Sequence, residues 1–156
     1  MRRREFIALA GGAVAAWPLT VQAQQKAVPV IGFLGMGSTR GNALQVTAVR
    51  QGLSESGFVD GKDYTIEFRG AEGKYDRLPA LAAELVDLKV DLMIAQAPPS
   101  ARAAKKATST IPIVFGVGSD PVASGLVASL ARPGGNLTGV TILAANLTAK
   151  RFALLS

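Results

Sequence analysis

The spacing of apolar positions changes period several times along the chain. Val28-Pro29-Val30-Ile31-Gly32-Phe33-Leu34 is a continuous apolar run, as expected of a strand covered on both faces. From Asn42 the period lengthens. Val46, Val49 and Leu53 recur on one helical face, and Gly57 is the stop signal. Asp60-Gly61 marks a turn. Tyr64, Ile66 and Phe68 then alternate with Thr65, Glu67 and Arg69, the period of two of a strand with one wet face near a sheet edge. Leu78, Leu81, Ala82, Leu85 and Val86 form the buried stripe of a second helix, with Asp76 as its cap and Pro79 in its first turn. Asp91 to Ala95 is predicted as a third strand. Pro98-Pro99-Ser100 opens a helix rich in Ala and Lys that runs to Thr108. Ile111 to Val117 is predicted as a fourth strand, Pro121 to Leu130 as a short helix and Leu137 to Ile142 as a fifth strand. Asn146 to Ser156 opens a last helix that stops unfinished.

Strands alternating with helices at this spacing predict an α/β fold, a parallel doubly wound sheet with helices on both faces. In such a sheet a ligand sits outside the carboxyl ends of the strands, where the strand order reverses. Three predicted loops lie at such ends: Gly35-Met36-Gly37-Ser38-Thr39, Gln96-Ala97-Pro98-Pro99-Ser100 and Gly118-Ser119-Asp120-Pro121. The second and third run directly into predicted helices, whose first turns offer free N–H groups and partial positive charge to an anion. The candidate ligand residues are Met36, Ser38, Gln96, Ser100, Ser119 and Asp120. Asp120 has two readings, an acceptor for a ligand amino group or only the cap of the helix predicted from Pro121.

Composition narrows the chemistry. The chain is 49% apolar and 18% charged, in the range of a globular protein. It has neither Cys nor His. A Ser-His-Asp triad cannot be built, a zinc site would need carboxylates alone, and no thiol is available for a lipid anchor. Gly35-Met36-Gly37 lacks the third glycine of a dinucleotide fingerprint, since Arg40 stands there, and no acidic residue closes the second strand. There is no phosphate-cradling G-x-x-x-x-G-K-S/T loop and no G-x-S-x-G elbow, which argues against an α/β hydrolase. The net charge of +6 is spread along the chain. Lys105-Lys106 reads as a solvated helix face, and the stripe of cations with interleaved aromatics that nucleic acid requires is missing.

The first residues read as an address. Arg2-Arg3-Arg4 precedes a Gly- and Ala-rich apolar stretch, Ile7 to Trp17, too short to span a bilayer. Pro18 breaks any helix there, and Val21-Gln22-Ala23 presents side chains that a signal peptidase accepts. Residues 1–23 are therefore read as a signal peptide, cleaved between Ala23 and Gln24. Arg3-Arg4-Glu5-Phe6-Ile7 resembles the twin-arginine export motif, with Arg2 where that motif prefers Ser or Thr; the other reading is an ordinary Sec signal.

Several runs are similar to one known family. They are Val30-Ile31-Gly32-Phe33-Leu34, Arg50-Gln51-Gly52-Leu53 with Ser56-Gly57-Phe58, and Tyr75-Asp76-Arg77-Leu78-Pro79-Ala80-Leu81-Ala82. The most specific are Ile111-Pro112-Ile113-Val114-Phe115 leading to Asp120-Pro121-Val122, Gly125 to Leu130, and Arg132-Pro133-Gly134-Gly135-Asn136-Leu137-Thr138-Gly139-Val140-Thr141. Together they resemble the ABC transporter substrate-binding protein family that includes tryptophan- and phenylalanine-binding members. The resemblance implies a periplasmic binding protein of the type I, two-lobe fold. Residues 24–145 would be its first lobe, and residues 146–156 the start of a crossover to a second. It implies capture of a small solute, an amino acid or related carboxylate, and delivery to an ABC permease of the inner membrane. It implies no catalysis and no cofactor; no metal and no nucleic acid are expected from the missing His and Cys and from the spread charge. A periplasmic ligand sensor feeding a membrane receptor is the alternative of the same fold. One departure stands out. The family has Gly, Ser or Thr just before the proline matching Pro99, and this sequence has Gln96, Ala97 and Pro98. Ser100 can supply a hydroxyl one place late, or Gln96 an amide.

The address predicts a protein exported by the twin-arginine or Sec machinery and soluble in the periplasm, with Gln24 as its first residue. N-terminal sequencing of secreted material checks this; an intact Met1 on membrane-bound protein would contradict it.

Overall fold

The computed structural model describes residues 27–141. The signal segment, the cleavage site, Ile142 and the helix expected from Asn146 lie outside the described residues. The elements follow the predicted order: β1 (Val30–Gly35), α1 (Ala43–Glu55), β2 (Thr65–Gly70), a single 3₁₀ turn (Tyr75–Arg77), α2 (Leu78–Asp87), β3 (Leu92–Gln96), α3 (Pro98–Ala107), β4 (Ile113–Val117) and β5 (Leu137–Thr141). No helix among the described residues is long and apolar enough to cross a membrane.

The five strands form one sheet in the order β2-β1-β3-β4-β5, and every pairing is parallel. Register fixes which side chains share a face. Leu34, Ala95 and Phe115 lie in one row, and so do Met93, Ile113 and Leu137. These residues join Leu78, Leu81, Ala82 and Leu85 of α2 and Ala101 and Ala104 of α3 in a single buried core. The alanines let α3 approach the sheet closely, and Gly32 does the same for α2. A Cβ on Gly32 would stand 3.1 Å from Leu85 and 3.2 Å from Val90.

The opposite face carries Ile31 and Phe33 of β1 with Ile66 and Phe68 of β2. The Phe33 and Phe68 rings lie 5.7 Å apart, tilted by 30°. α1 lies beside this end of the sheet, where Ala43 and Val46 border a groove of about 190 Å³ with Ile66 and Phe68. No residue of α1 is buried among the described residues, whereas four of α2 are. Gly57 ends α1 as predicted. It adopts φ +87°, the Gly57 N–H donates to the Ser54 carbonyl, and the Phe58 N–H reaches back to Leu53, the reversal that only a left-handed residue permits.

Two expectations fail. Asp76 does not cap α2. It sits inside the 3₁₀ turn, and α2 begins without a side-chain cap after Arg77. Residues Pro121 to Leu130 are not a helix but a series of turns. The Leu126 and Val127 N–H groups both donate to the Pro121 carbonyl, and Gly125 is left-handed at φ +70°. The chain thereby buries the adjacent Leu126 and Val127 together; a helix would turn them about 100° apart. Lys105 is also more than a solvated charge. Its Nζ donates to the Gly125 and Leu126 carbonyls at 2.8 and 3.1 Å, fastening these turns to α3.

Leu85, in the α2 stripe, is fully buried against Gly32. Leu85→Ala should cost about 2–5 kcal/mol through lost burial and the cavity left behind, read as a lower midpoint in urea unfolding. A loss under half of the lower figure would show that α2 is not packed as described.

Candidate functional site

The strand order reverses between β1 and β3. From β1 the chain moves to β2 on one side; from β3 it moves to β4 on the other. The helices that follow go to opposite faces, so the loops leaving β1 and β3 diverge, the place where a sheet of this kind holds a ligand crevice. Leu34 pairs with Ala95, which sets Gly35 beside Gln96, and Gln96 pairs in turn with Gly116. Gln96 thus stands between two glycines at the top of the sheet, half-buried.

The loop after β1 is held by its neighbours. The Asn42 side chain is buried against Gly35 and Gly37, where a Cβ on either glycine would come within 2.9 Å of its Nδ2. That Nδ2 donates to the Ser38 carbonyl at 3.1 Å, and the Ser38 hydroxyl accepts the Gly41 N–H at 3.1 Å. Ser38 is exposed but its hydroxyl already closes the loop. The Met36 carbonyl accepts the Gly73 N–H at 2.8 Å, and the Gly35 carbonyl accepts that of Ala71. The turn after β2, Ala71 to Lys74, therefore belongs to this end of the sheet. Neither this turn nor the Asn42 side chain is among the candidate ligand residues expected from the sequence. A polar residue between the loop glycines and the first apolar helix position was the available signal for Asn42.

The loop after β4 is exposed at Ser119 and Asp120. Asp120 Oδ1 accepts the Val122 and Ala123 N–H groups at 2.8 and 3.2 Å. The capping reading of Asp120 holds for that oxygen, although what it caps is a turn. The turn supplies no helix dipole, and its first donors are already taken. Thr141 Oγ1 donates to the Ser119 carbonyl at 2.9 Å and ties this loop to β5.

The loop after β3 is the most constrained. Ala97 adopts φ 70°, ψ 157°, a region essentially confined to glycine. Its N–H donates to the Gly116 carbonyl at 2.8 Å. Ser100, a candidate contact, is 0% exposed, and its Oγ has no hydrogen-bond partner among the described residues. The structure therefore brings Met36 and Gln96 to the top of the sheet beside the β1 and β3 loops, places Ser38, Ser119 and Asp120 on exposed loops, and buries Ser100 in the first turn of α3. No group of three or more Asp or Glu among the described residues could hold a metal ion.

Strain at Ala97 predicts that Ala97→Gly stabilises the fold. Relief of about 1–3 kcal/mol of strain exceeds the entropic cost of glycine, about 0.5–1 kcal/mol. Thermal unfolding should show a higher midpoint; a lower one would mean that this backbone conformation is not the native one.

Over residues 19–156 the chain matches the family described as ABC transporter substrate binding protein. It is 40% identical over 89 residues to the tyrosine-binding protein of Clostridioides difficile (strain R20291), a stretch that is 57% of this chain and 26% of that protein. The ligand-free, open structure of a substrate-binding protein with adhesive properties from Clostridium difficile is similar at a TM-score of 0.67 and 35% identity, over 73% of this chain and 39% of that one. The crystal structure of an ABC domain in complex with L-Trp from Streptococcus pneumonia gives a TM-score of 0.65 and 32% identity, over 72% of this chain and 38% of that one. The chain thus spans well under half the length of these relatives. These homologues are substrate-binding proteins, not enzymes. The parallel sheet read from the alternating runs, and the family read from the runs between Val30 and Thr141, agree with the match: the chain belongs to the ABC transporter substrate-binding protein family.

Proposed function

We propose that this chain captures an amino acid or a related small carboxylate for an ABC importer. Its described sheet is the first of two lobes. The described residues 27–141 belong to that lobe. The observation that carries the reading is the reversal of strand order between β1 and β3, where such a sheet holds its ligand crevice, in a member of a substrate-binding family. A tyrosine-binding relative and a relative solved with L-Trp support an amino acid as the solute.

The chain's own groups divide the work. Asp120 has one carboxylate oxygen held by the Val122 and Ala123 N–H groups, which leaves Oδ2 for the ammonium of the solute. Gln96 brings both a donor and an acceptor to the crevice. The first loop, kept in shape by Asn42, Gly73 and Ala71, forms one wall. A second lobe closing over this wall excludes water from the solute's hydrogen bonds. The closed complex is then delivered to a permease in the inner membrane, after export to the periplasm and cleavage before Gln24. Import is favoured over sensing because the matched family is a transporter family.

With one wall only, the solute stays partly hydrated. Loss of two or three hydrogen bonds at about 1 kcal/mol each lowers affinity on the order of a hundredfold relative to a two-lobed protein. Calorimetry should therefore give weak binding of L-tyrosine or L-tryptophan by residues 24–156 and tight binding by a two-lobed protein that carries them. Asp120→Asn should weaken both by about tenfold, the value of one charge-assisted hydrogen bond. Binding of sugars or metal ions in place of amino acids would contradict the reading.

A further inference from the structure

The segment from Asp120 to Pro133 leaves the sheet after β4 and runs through turns before β5. Most of its hydrogen bonds are internal. Asp120 Oδ1 accepts the Val122 and Ala123 N–H groups, and the Asp120 carbonyl accepts the Ser124 N–H at 3.1 Å. The Ala128 N–H donates to the Pro133 carbonyl at 2.9 Å. Among the described residues, the one side chain that reaches this segment from outside with a hydrogen bond is Lys105. Its Nζ meets two successive carbonyls, Gly125 and Leu126, and an ammonium has donors enough for both. Lys105 takes part in no ion pair among the described residues, so replacing it strands no carboxylate. Pro121, Leu126 and Val127 are buried, whereas Ser119 and Asp120 at the head of the segment are exposed.

α3 begins directly after Gln96 and Ala97 and carries Lys105 in its last turn. One helix thus runs from the loop that presents Gln96 to the tether on the segment that presents Asp120. We infer that Lys105 is a positioning residue for solute binding: its ammonium holds the turn that orients the Asp120 carboxylate relative to Gln96. This rests on the reading of Asp120 Oδ2 as the acceptor of the solute's ammonium. The path between the two side chains is short. Lys105 holds the Gly125 and Leu126 carbonyls. The Leu126 and Val127 N–H groups hold the Pro121 carbonyl at 2.8 and 3.2 Å. Pro121 follows Asp120, whose Oδ1 is tied to the next two N–H groups. A carboxylate already fixed in place does not have to be ordered when the solute arrives, which removes a cost from binding. Without the tether, buried Leu126 and Val127 keep the segment on the core while its exposed head loosens.

The test uses amide NMR of the full chain with three single variants. Lys105→Met keeps the length and loses the donors, and Lys105→Arg keeps donors. Lys106→Met removes a neighbouring charge that lines the groove with Tyr75 and Pro79 instead. Hydrogen exchange reads the turn. In Lys105→Met the Val122, Ala123 and Leu126 amides should exchange about tenfold faster, as the loss of one hydrogen bond implies, while Met93 and Phe115 in the sheet keep their rates. Lys105→Arg and Lys106→Met should match the parent. Titration with L-tyrosine, and with desaminotyrosine, which lacks the ammonium, reads the site. Lys105→Met should bind L-tyrosine about three- to tenfold more weakly, the cost of ordering one or two residues on binding, and desaminotyrosine unchanged. K105M/D120N should bind L-tyrosine no more weakly than Asp120→Asn alone. Unchanged exchange at Val122 and Ala123 in Lys105→Met overturns the inference, and so does faster exchange that extends to Met93 and Phe115. An equal loss for the two ligands, or a loss that adds in full to that of Asp120→Asn, overturns it as well. If neither ligand binds any form, the amino acid reading falls and takes the solute role of Lys105 with it; if L-tyrosine binds and the exchange rates do not move, the role of Lys105 falls alone.

Discussion

A right-handed crossover lays its helix on one side of a parallel sheet when the chain moves one way, and on the other side when it moves back. β1 and β3 are neighbours from which the chain departs in opposite directions. That constraint puts α2 and α3 together over one face and α1 over the other. It also separates the loops that leave the two strands, and the crevice follows from that separation. No side chain has to hold it open. The side chains decide what the walls are made of.

The two faces serve this arrangement unequally. The α2 and α3 side is a packed core in which alanines and Gly32 bring the helices close to the sheet. The walls are fastened by a few hydrogen bonds from outside the loops themselves: Asn42 to the Ser38 carbonyl, the Ala71 and Gly73 N–H groups to Gly35 and Met36, Thr141 to Ser119, and Lys105 to the turn at Gly125 and Leu126. Each such bond contributes about 1 kcal/mol. Together they position the rim at the carboxyl ends of the strands.

Most of the fold was legible in the sequence because period survives folding. The buried runs at Val30 to Leu34 and Ile113 to Val117, the alternation at Ile66 to Arg69, and the stripe Leu78, Leu81, Ala82 and Leu85 all became the elements that their spacing implied. The segment after Pro121 misled, because a proline after an aspartate looks like a helix start, whereas the reversal at Gly125 depends on burying Leu126 and Val127 against residues distant in sequence. The site was less legible. Which loops gather at the carboxyl ends follows from the strand pattern, but whether a donor is free depends on partners. Pro98 and Pro99 declared their missing N–H groups in the sequence, while the commitment of Ala97 to Gly116 and the burial of Ser100 emerged only with the fold. Lys105 likewise looked solvated until the turn it fastens came within reach.

The proposed function has the solute meet this chain between the β1 and β3 loops. Amide chemical-shift mapping with L-tryptophan locates the contact. Saturable shifts should be confined to Gly35–Asn42, Gln96–Ala101 and Gly118–Asp120, at the carboxyl ends of the strands. Saturable shifts centred instead on the groove between α2 and α3, or at the amino ends of the strands, would contradict it.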